Sequence, residues 1–232
     1  MKIPISPRLQ ACCDLVRSGE RVADIGCDHG YLGVYLLKNG IADSVIAADI
    51  RKGPLHSAVH NSEKFGVRDK MSFYLSDGVK SIPRDFDTLV CAGMGADTMV
   101  SILDAAPWLK DGRYRLILQC QSKTPMLRQY LYENGWNLEN EIVLRDGRFL
   151  YTVIVVVWQE DWPYTSIQEF YYPSVLLEQK TPESIEYYHR VVNKLRISVV
   201  GRGAQADPME VSALNQLEML TSNYPFLTEE LL

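Results

Sequence analysis

Residues 22–33 read V-A-D-I-G-C-D-H-G-Y-L-G, and this stretch decides the fold. A short apolar strand at residues 22–25 runs into a loop bounded by Gly26 and Gly30, and a helix pattern starts directly behind the loop. Glycines at this point let backbone N–H groups approach a ligand at a helix N-terminus, as in the first strand–helix unit of nucleotide-binding α/β sheets. The stretch therefore predicts a mostly parallel sheet with a ligand site at this loop.

The loop itself indicates which ligand fits. The dinucleotide fingerprint G-x-G-x-x-G needs a glycine at position 28, where the backbone touches a pyrophosphate. Asp28 stands there, and its carboxylate would repel that group. Asp24 and Asp28 together suit a ligand with an ammonium group. S-adenosylmethionine carries an ammonium, a sulfonium and a ribose but no phosphate, so we expect a methyl-donor site.

Length and composition limit the class of protein. The 232 residues, 47% of them hydrophobic, fit one α/β domain with about 70 residues left for an appendage. The start, M-K-I-P-I-S-P-R-L-Q, lacks the apolar run of a secretory signal, and no stretch is apolar enough for a membrane span. The five cysteines form no C-x-x-C pair, so we expect reduced thiols and a cytoplasmic protein without a membrane partner.

Charge is unevenly distributed. The net charge of −5 argues against nonspecific nucleic-acid binding by the whole chain. Residues 160–232 contain 5 Lys or Arg and 11 Asp or Glu, a net charge of −6, which leaves +1 for residues 1–159. An RNA ligand therefore requires that basic groups cluster on the first part of the chain.

Strand and helix patterns alternate through the first part of the chain. Predicted strands cover residues 22–25, 44–49, 71–75, 86–92 and 115–120, and predicted helices cover residues 7–17, 31–38, 53–65 and 124–133. A long β pattern at 136–157 is broken at Asp146-Gly147, a strong hairpin signal. Five strand–helix units that end in an antiparallel hairpin predict a Rossmann-like methyltransferase sheet at residues 1–159.

Two predicted helices, 182–200 and 208–221, should fold back as an antiparallel hairpin in a C-terminal arm, residues 160–232. The acidic charge favours packing or recognition over phosphate binding for this arm.

Acidic residues at strand ends extend the expected ligand site. Asp49 ends the second strand 23 residues after Gly26, where an acid can accept hydrogen bonds from both ribose hydroxyls. Asp77 follows the third strand and could reach an adenine amino group or cap a helix. His56 and His60 have metal-ligand spacing on one helix, but no glutamate lies between them, so we expect no metal site.

The motifs A-D-I-G-C-D-H-G-Y-L, C-A-G-M-G and L-I-L-Q-C-Q-S resemble those of the bacterial tRNA (adenine-22-N1)-methyltransferases. The resemblance covers residues 6 to about 157 and, in outline, the C-terminal arm. This chain departs from the family pattern at Gly33, at Ala96 and at Cys120-Gln121, which stand where the family has Pro, Gly and Pro-Asn.

The resemblance implies methyl transfer from S-adenosylmethionine to N1 of an adenine in tRNA, with the base unpaired or flipped out. The residues expected to bind the cofactor are Asp24, Gly26, Cys27, Asp28, His29, Gly30, Asp49, Ile50, Asp77, Gly78, Ala92 and Gly93. The expected catalytic residues are Asp28, Gln119 and Met94, and the expected substrate contacts are Arg8, Tyr31 and Gly95. A monomer is favoured over an oligomer.

Two alternatives stay open at this point. The first is a methyltransferase that acts on another acceptor, a small molecule, another RNA or a protein, which the acidic charge and the Cys120-Gln121 departure favour. The second is a noncatalytic module that binds the methyl donor and uses its arm on a partner. A basic face near Gly93 and Gly95 would indicate tRNA, a closed apolar pocket another acceptor, and a pocket blocked by the arm a binding module.

Overall fold

The computed structural model describes residues 2–160 and 166–228. Within these residues the centre of the protein is a seven-stranded sheet with the order β3-β2-β1-β4-β5-β7-β6. The strands are β1 (Glu20–Ile25), β2 (Ala42–Asp49), β3 (Met71–Leu75), β4 (Thr88–Met94), β5 (Arg115–Cys120), β6 (Trp136–Asp146) and β7 (Phe149–Trp158). The first five are parallel and the last two antiparallel, which confirms the predicted Rossmann-like sheet with a C-terminal hairpin.

Nine α-helices lie within the part of the chain that the structure describes. They are α1 (Pro7–Asp14), α2 (Tyr31–Lys38), α3 (Lys52–Lys64), α4 (Ala96–Asp104), α5 (Thr124–Glu133), α6 (Gln168–Tyr171), α7 (Val175–Gln179), α8 (Pro182–Arg202) and α9 (Pro208–Asn223). Helices α2 and α5 have the predicted bounds. Ser6 caps α1 by accepting the Leu9 N–H, and Pro7 takes the first helical position, as its fixed φ favours.

Several predicted bounds differ from the structure by one to three residues, and two of the differences have a clear cause. Helix α1 ends at Asp14 rather than at residue 17, because the Leu15 and Val16 N–H groups turn to the carbonyls three residues back. Strand β4 begins at Thr88 rather than at 86 and continues through Met94. Phe86 is buried in the core ahead of the strand, and the Asp87 carboxylate accepts hydrogen bonds from the Arg21 side chain.

The parallel strands are covered on both faces. All six residues of β5 are buried, and they alternate between the two cores: Leu116 and Leu118 face α4 and α5, while Ile117 faces α1 and α2. Such continuous apolar strands are typical of a parallel sheet between two helical layers. Polar ligands are therefore excluded from both faces, and the ends of the strands remain as the place for a site.

The arm packs against the far side of the hairpin. Helices α8 and α9 lie antiparallel, as predicted, and bury Tyr188, Leu195 and Leu217 together with Val143 of β6. The short helices α6 and α7 were not predicted, because four or five residues are too few to show a helical period. Residues 161–165 and 229–232 of the predicted arm lie outside the described residues. The division of the chain at residue 159 stays a prediction.

Arg128 of α5 joins the arm to the sheet. Its side chain is 1% exposed and donates to both carboxylate oxygens of Glu141, at 3.0 and 2.6 Å. The same guanidinium donates to the carbonyls of Phe170 and Tyr171 at the end of α6, and to the Tyr187 hydroxyl of α8. A buried charge is stable only when it is paired and fully hydrogen-bonded, so this cluster fixes how the arm sits on the domain.

The described helices include none that is long and apolar enough to cross a bilayer.

Candidate functional site

A cavity of about 740 Å³ opens at the carboxyl ends of the parallel strands. We call it the strand-end cavity. Ligands of open α/β sheets bind at this edge, where the strand order reverses; here the reversal lies between β1 and β4. The predicted site residues that line the cavity are Arg8, Asp24, Gly26, Cys27, Asp28, Asp49, Ile50, Asp77, Gly78, Ala92, Gly93, Met94 and Gln119.

The loop after β1 is held in a left-handed path. Gly26, Asp28 and Gly30 all have positive φ, at 74°, 48° and 69°. A Cβ on Gly26 would lie 2.3 Å from the Met94 side chain, and a Cβ on Gly30 would lie 2.8 Å from Ala58 of α3. Gly26 thus lets the Met94 side chain lie directly against the loop backbone, whereas Gly30 lets the start of α2 pack closely on α3. An aspartate in the left-handed region of φ is uncommon, and such residues often lie at functional sites.

Asp24 is the buried acid of the cavity. It is 4% exposed, and its Oδ2 has no hydrogen-bond partner in residues 2–160 or 166–228. Burial, and then the nearby carboxylates Asp49 and Asp28, raise the pKa of Asp24 from 3.8 to about 7. The Arg51 guanidinium lies 3.7 Å from Asp49, whereas Asp24 has no cation partner among the described residues, and this favours a positively charged ligand at Asp24. An ammonium group would both pair with Asp24 and satisfy its free oxygen.

Asp49 fixes the backbone on the same side of the cavity as Asp24 and Asp28. Its Oδ2 accepts the Asp28 N–H at 3.2 Å, and its Oδ1 accepts the Arg51 N–H at 2.9 Å. A carboxylate has about four acceptor positions, so each oxygen can still accept a ligand hydroxyl. Ile50 beside it is 63% exposed and offers an apolar surface at the rim.

The wall after β3 carries Ser76, Asp77 and Gly78. The Ser76 hydroxyl donates to the Gly78 carbonyl and accepts the Ser81 N–H, which closes a tight turn. The Asp77 carboxylate pairs with Lys80 at the surface. Asp77 lines the cavity, and in the described chain no helix that its side chain could cap follows it before β4.

The opposite wall contains a β-bulge. Ala92 pairs with Gln119 and Met94 with Cys120, so Gly93 is an extra residue with φ of 80°. The Gln119 Oε1 accepts the Gly93 N–H at 3.0 Å, and its Nε2 donates to the Cys120 carbonyl at 3.2 Å. Bulges near sites re-aim the chain. The Gln119 side chain is 1% exposed and holds this bulge in place. Its Oε1 is already engaged by the Gly93 N–H.

Four predicted site residues lie away from the strand-end cavity. His29 and Tyr31 point instead to a shallow surface depression of about 380 Å³ that they share with His56 and His60. Gly30 packs under α3, and Gly95 caps α4 against Ser122. In the same two turns Asp28 and Gly93 do line the cavity.

Residues that the sequence interpretation missed complete the cavity. The start of α1 contributes Ser6 and Leu9, and one face of α4 contributes Asp97, Thr98 and Ser101. The spacing i, i+1, i+4 after a glycine turn is a signal that could have identified the α4 face.

The structure places the two residues Cys120 and Gln121, which depart from the family pattern, in different surroundings. The Cys120 side chain is buried, with Sγ 3.0 Å from the Ser122 carbonyl, whereas Gln121 lines the cavity.

No group of three or more His, Cys, Asp or Glu able to hold a metal ion occurs in the described ranges.

Comparison with known families decides the class. The family model of the methyltransferase domain matches residues 5–154, more than half of the chain. The chain belongs to the methyltransferase domain family. Residues 5–154 span α1 to β7, so the family match includes every element that borders the cavity of this methyltransferase.

Individual relatives agree with the resemblance found in the motifs. The tRNA (adenine(22)-N(1))-methyltransferase of Bacillus subtilis is 34% identical over 155 residues, which cover 66% of this chain and 65% of that protein. The structure of the B. subtilis M1A22 tRNA methyltransferase TrmK is 26% identical, with a TM-score of 0.78 over 98% of this chain and 100% of that chain.

A Streptococcus pneumoniae protein, Sp1610, was solved in complex with S-adenosyl-L-methionine. It is 25% identical to this methyltransferase, with a TM-score of 0.80 over 93% of this chain and 99% of that chain. Unlike the sequence match, these structural matches include the arm, so the whole architecture is shared. The resemblance stated from the sequence motifs is confirmed.

Proposed function

We propose that this chain transfers the methyl group of S-adenosylmethionine to N1 of an adenine in tRNA, at position 22 as in the relatives' names. The observation that carries the proposal is Asp24, which is buried at the end of β1, lines the strand-end cavity and has an Oδ2 without a hydrogen-bond partner within the described chain. A buried carboxylate is stabilised by a cationic hydrogen-bond donor, and the ammonium group of the methyl donor supplies one.

The cavity residues fit the parts of this cofactor. Asp24 would hold the ammonium group, and Asp49 has acceptor positions left for ribose hydroxyls. Asp77 and Gly78 form the wall where an adenine amino group would lie. The sulfonium methyl supplies the electrophile when the cofactor is bound. The Met94 side chain lies against Gly26 between β1 and β4, and both residues line the cavity where that cofactor would lie.

The protein's main contribution would be to align the acceptor base with the methyl group. Neutral adenine N1 has an in-plane lone pair, so no base has to remove a proton before attack, and in-line displacement requires mainly correct positioning. The Gly93 bulge, supported by Gln119, forms the wall where the acceptor base would lie.

Positive charge develops on the purine during attack, and the exocyclic amine then loses a proton. Because the Gln119 Oε1 already accepts the Gly93 N–H, Asp28 is the better candidate to accept a hydrogen bond from that amine.

The alternatives differ in what they need from the cavity. A noncatalytic module with its acceptor side blocked is disfavoured, because no described residue of the arm, 166–228, lines the cavity. A methyltransferase with another acceptor is still supported by Gln121 at the cavity wall, since this residue replaces the Asn of the family motif.

Methyl transfer from labelled S-adenosylmethionine to unmodified bulk tRNA tests the proposal, with Asp24→Ala as the control and mapping of the modified base. We expect 1-methyladenosine from the unaltered chain and none from the variant. Cofactor binding without label on tRNA would contradict the proposed acceptor and favour a small molecule, another RNA or a protein.

The Gly26→Ala substitution should weaken cofactor binding by at least about tenfold, because the new methyl group meets Met94 inside the cavity. Gly40→Ala is the matched control, since Gly40 also has positive φ, at 64°, but has nothing within 4 Å of its Cβ position. Titration calorimetry with S-adenosylmethionine measures both. Equal affinity loss in the two variants would show that backbone strain alone is responsible.

The Gln119→Leu substitution should lower kcat about 10- to 100-fold while the cofactor Kd changes little, because it frees the Gly93 bulge without removing a ligand contact from Asp24 or Asp49. Gln168→Leu in the arm is the control, as Gln168 is also buried and hydrogen-bonded. Both variants should lose stability by about 1–3 kcal/mol. A kcat for Gln119→Leu equal to that of Gln168→Leu would contradict the positioning role.

A further inference from the structure

The β6–β7 hairpin extends past the sheet at the edge where the strand-end cavity lies. Strand β5 ends at Cys120, which pairs with Thr152 of β7. Residues 149–151 continue β7 beyond this pair, opposite residues 144–146 of β6. At about 3.3 Å per residue, the hairpin tip stands about 10 Å beyond the carboxyl edge of the sheet.

The two faces of this extension have different neighbours. Arg145 and Leu150, which pair across the strands, face the arm: Arg145 binds a glutamate of α8, and Leu150 packs in the arm's core. Asp146 and Tyr151 face the other way, toward α1. Arg8 donates its Nε–H to Asp146 at 2.8 Å, and its guanidinium carbon lies 4.8 Å from the Tyr151 ring centroid. Since Arg8 also lines the cavity, this second face borders the cavity.

The outer end of this second face is exposed and basic. Phe149 is 49% exposed, and its ring meets the Tyr151 ring at 6.3 Å with an interplanar angle of 60°. The Arg148 guanidinium lies 4.9 Å from the Phe149 ring centroid and has no carboxylate within 4.0 Å among the residues that the structure describes. We call Arg8, Asp146, Arg148, Phe149 and Tyr151 the hairpin-tip platform.

The chemistry of the hairpin-tip platform matches single-stranded RNA. An exposed ring with a free guanidinium beside it can stack on a base of any sequence and pair with the adjacent phosphate. An apolar protein surface matches it less well, because the Arg148 guanidinium lies beside Phe149 without a carboxylate partner among the described residues. We propose that the hairpin-tip platform binds the nucleotide next to the acceptor adenine, with Phe149 stacked on its base and Arg148 paired with its phosphate. The inference rests on the proposed function.

Within this platform Arg8 has a supporting role. Its charge is paired with Asp146 and its plane lies on Tyr151, so it joins the tip to α1 at the cavity rim. A nucleotide held at Phe149 would thereby keep its neighbour at the cavity mouth, as an extruded base requires.

Steady-state methylation of unmodified tRNA by Phe149→Ala, Phe149→Trp and Arg148→Gln tests the inference. Ile197→Ala is the matched control, because Ile197 is a 74% exposed apolar residue of α8. For Phe149→Ala we expect the KM for tRNA to rise about 10- to 100-fold, while the Kd for S-adenosylmethionine is unchanged. Phe149→Trp should keep a KM near that of the unaltered chain. Arg148→Gln should reduce the slope of log K against log salt for tRNA binding by about 1.

Each result that contradicts these expectations shows whether the hairpin-tip platform or the proposed function fails. An unaltered KM for Phe149→Ala, or an equal rise for Ile197→Ala, overturns the platform while leaving the proposed function intact. A change of oligomeric state in sedimentation with Phe149→Ala assigns the tip to a protein contact and also overturns it. If the unaltered chain methylates no tRNA, the proposed function fails first, and the inference fails with it.

Discussion

Replacing Asp24 with Asn is expected to stabilise the ligand-free protein at pH 8 by a few kcal/mol and, at the same time, to abolish its stabilisation by S-adenosylmethionine. Burial and two neighbouring acids raise the pKa of Asp24 from 3.8 to about 7 in the folded protein. At roughly 1.4 kcal/mol per pKa unit, ionising this carboxyl in the folded state costs about 4 kcal/mol. Asparagine has nearly the same shape and never ionises.

The direction of the Asp24 pKa shift determines the pH range over which the stability difference is seen. A folded-state pKa above the unfolded value means that the folded protein binds the proton more tightly. The contribution of Asp24 to stability is therefore fully present below about pH 3.8 and is lost as the pH rises through about 7. The stability difference between Asp24→Asn and the unaltered chain should be near zero at pH 4 and largest above pH 7.

Urea unfolding at pH 4, 6 and 8, with and without S-adenosylmethionine, measures both effects. Asp43→Asn is the control, since Asp43 is an exposed carboxylate on the same sheet. The ammonium group of the ligand should offset the penalty in the unaltered chain alone. A pH-independent difference would contradict the buried carboxylate, and full cofactor affinity in Asp24→Asn would contradict its pairing with the ammonium.

Replacing Arg128 with Met is expected to lower the free energy of unfolding by about 3–5 kcal/mol, the usual effect of removing one partner from a buried ion pair. Glu141, which is 0% exposed, would be left as an unpaired buried charge, and the carbonyls of Phe170 and Tyr171 would lose their donor. Because Arg128 does not line the cavity, cofactor affinity in the folded protein should not change.

The double variant Arg128→Met/Glu141→Leu completes the test. It should recover part of the lost stability, because no buried charge remains, and the double-mutant cycle gives the coupling energy of the pair. Arg190→Met is the control: Arg190 pairs with Glu186 on the exposed surface of α8, and its loss should change stability by no more than about 0.5 kcal/mol. Equal losses in Arg128→Met and Arg190→Met would contradict the buried cluster.

The contrast between these two arginines shows where sequence interpretation ends. Both lie in helices, and the residues next to each arginine along the chain do not tell which of the two is buried. Arg128 is buried because residues 141, 170 and 187, far along the chain, converge on it. The same holds for Gln119: its position at a strand end was predicted, whereas the use of its oxygen by Gly93 depends on the bulge.

Local patterns by themselves determined the alternation of strands and helices, the glycine loop, the acids at the ends of β1 and β2, and the hairpin turn. Alternating apolar runs, glycine conformations and strand-end acids act over a few residues, so their signals are present in the sequence. Only the tertiary structure decided that the start of α1 and the face of α4 meet at one cavity, and that Arg8 of α1 contacts the tip of the hairpin. Those contacts join residues as far apart as Arg8 and Asp146, 138 positions from each other, and such pairs form only when the sheet assembles.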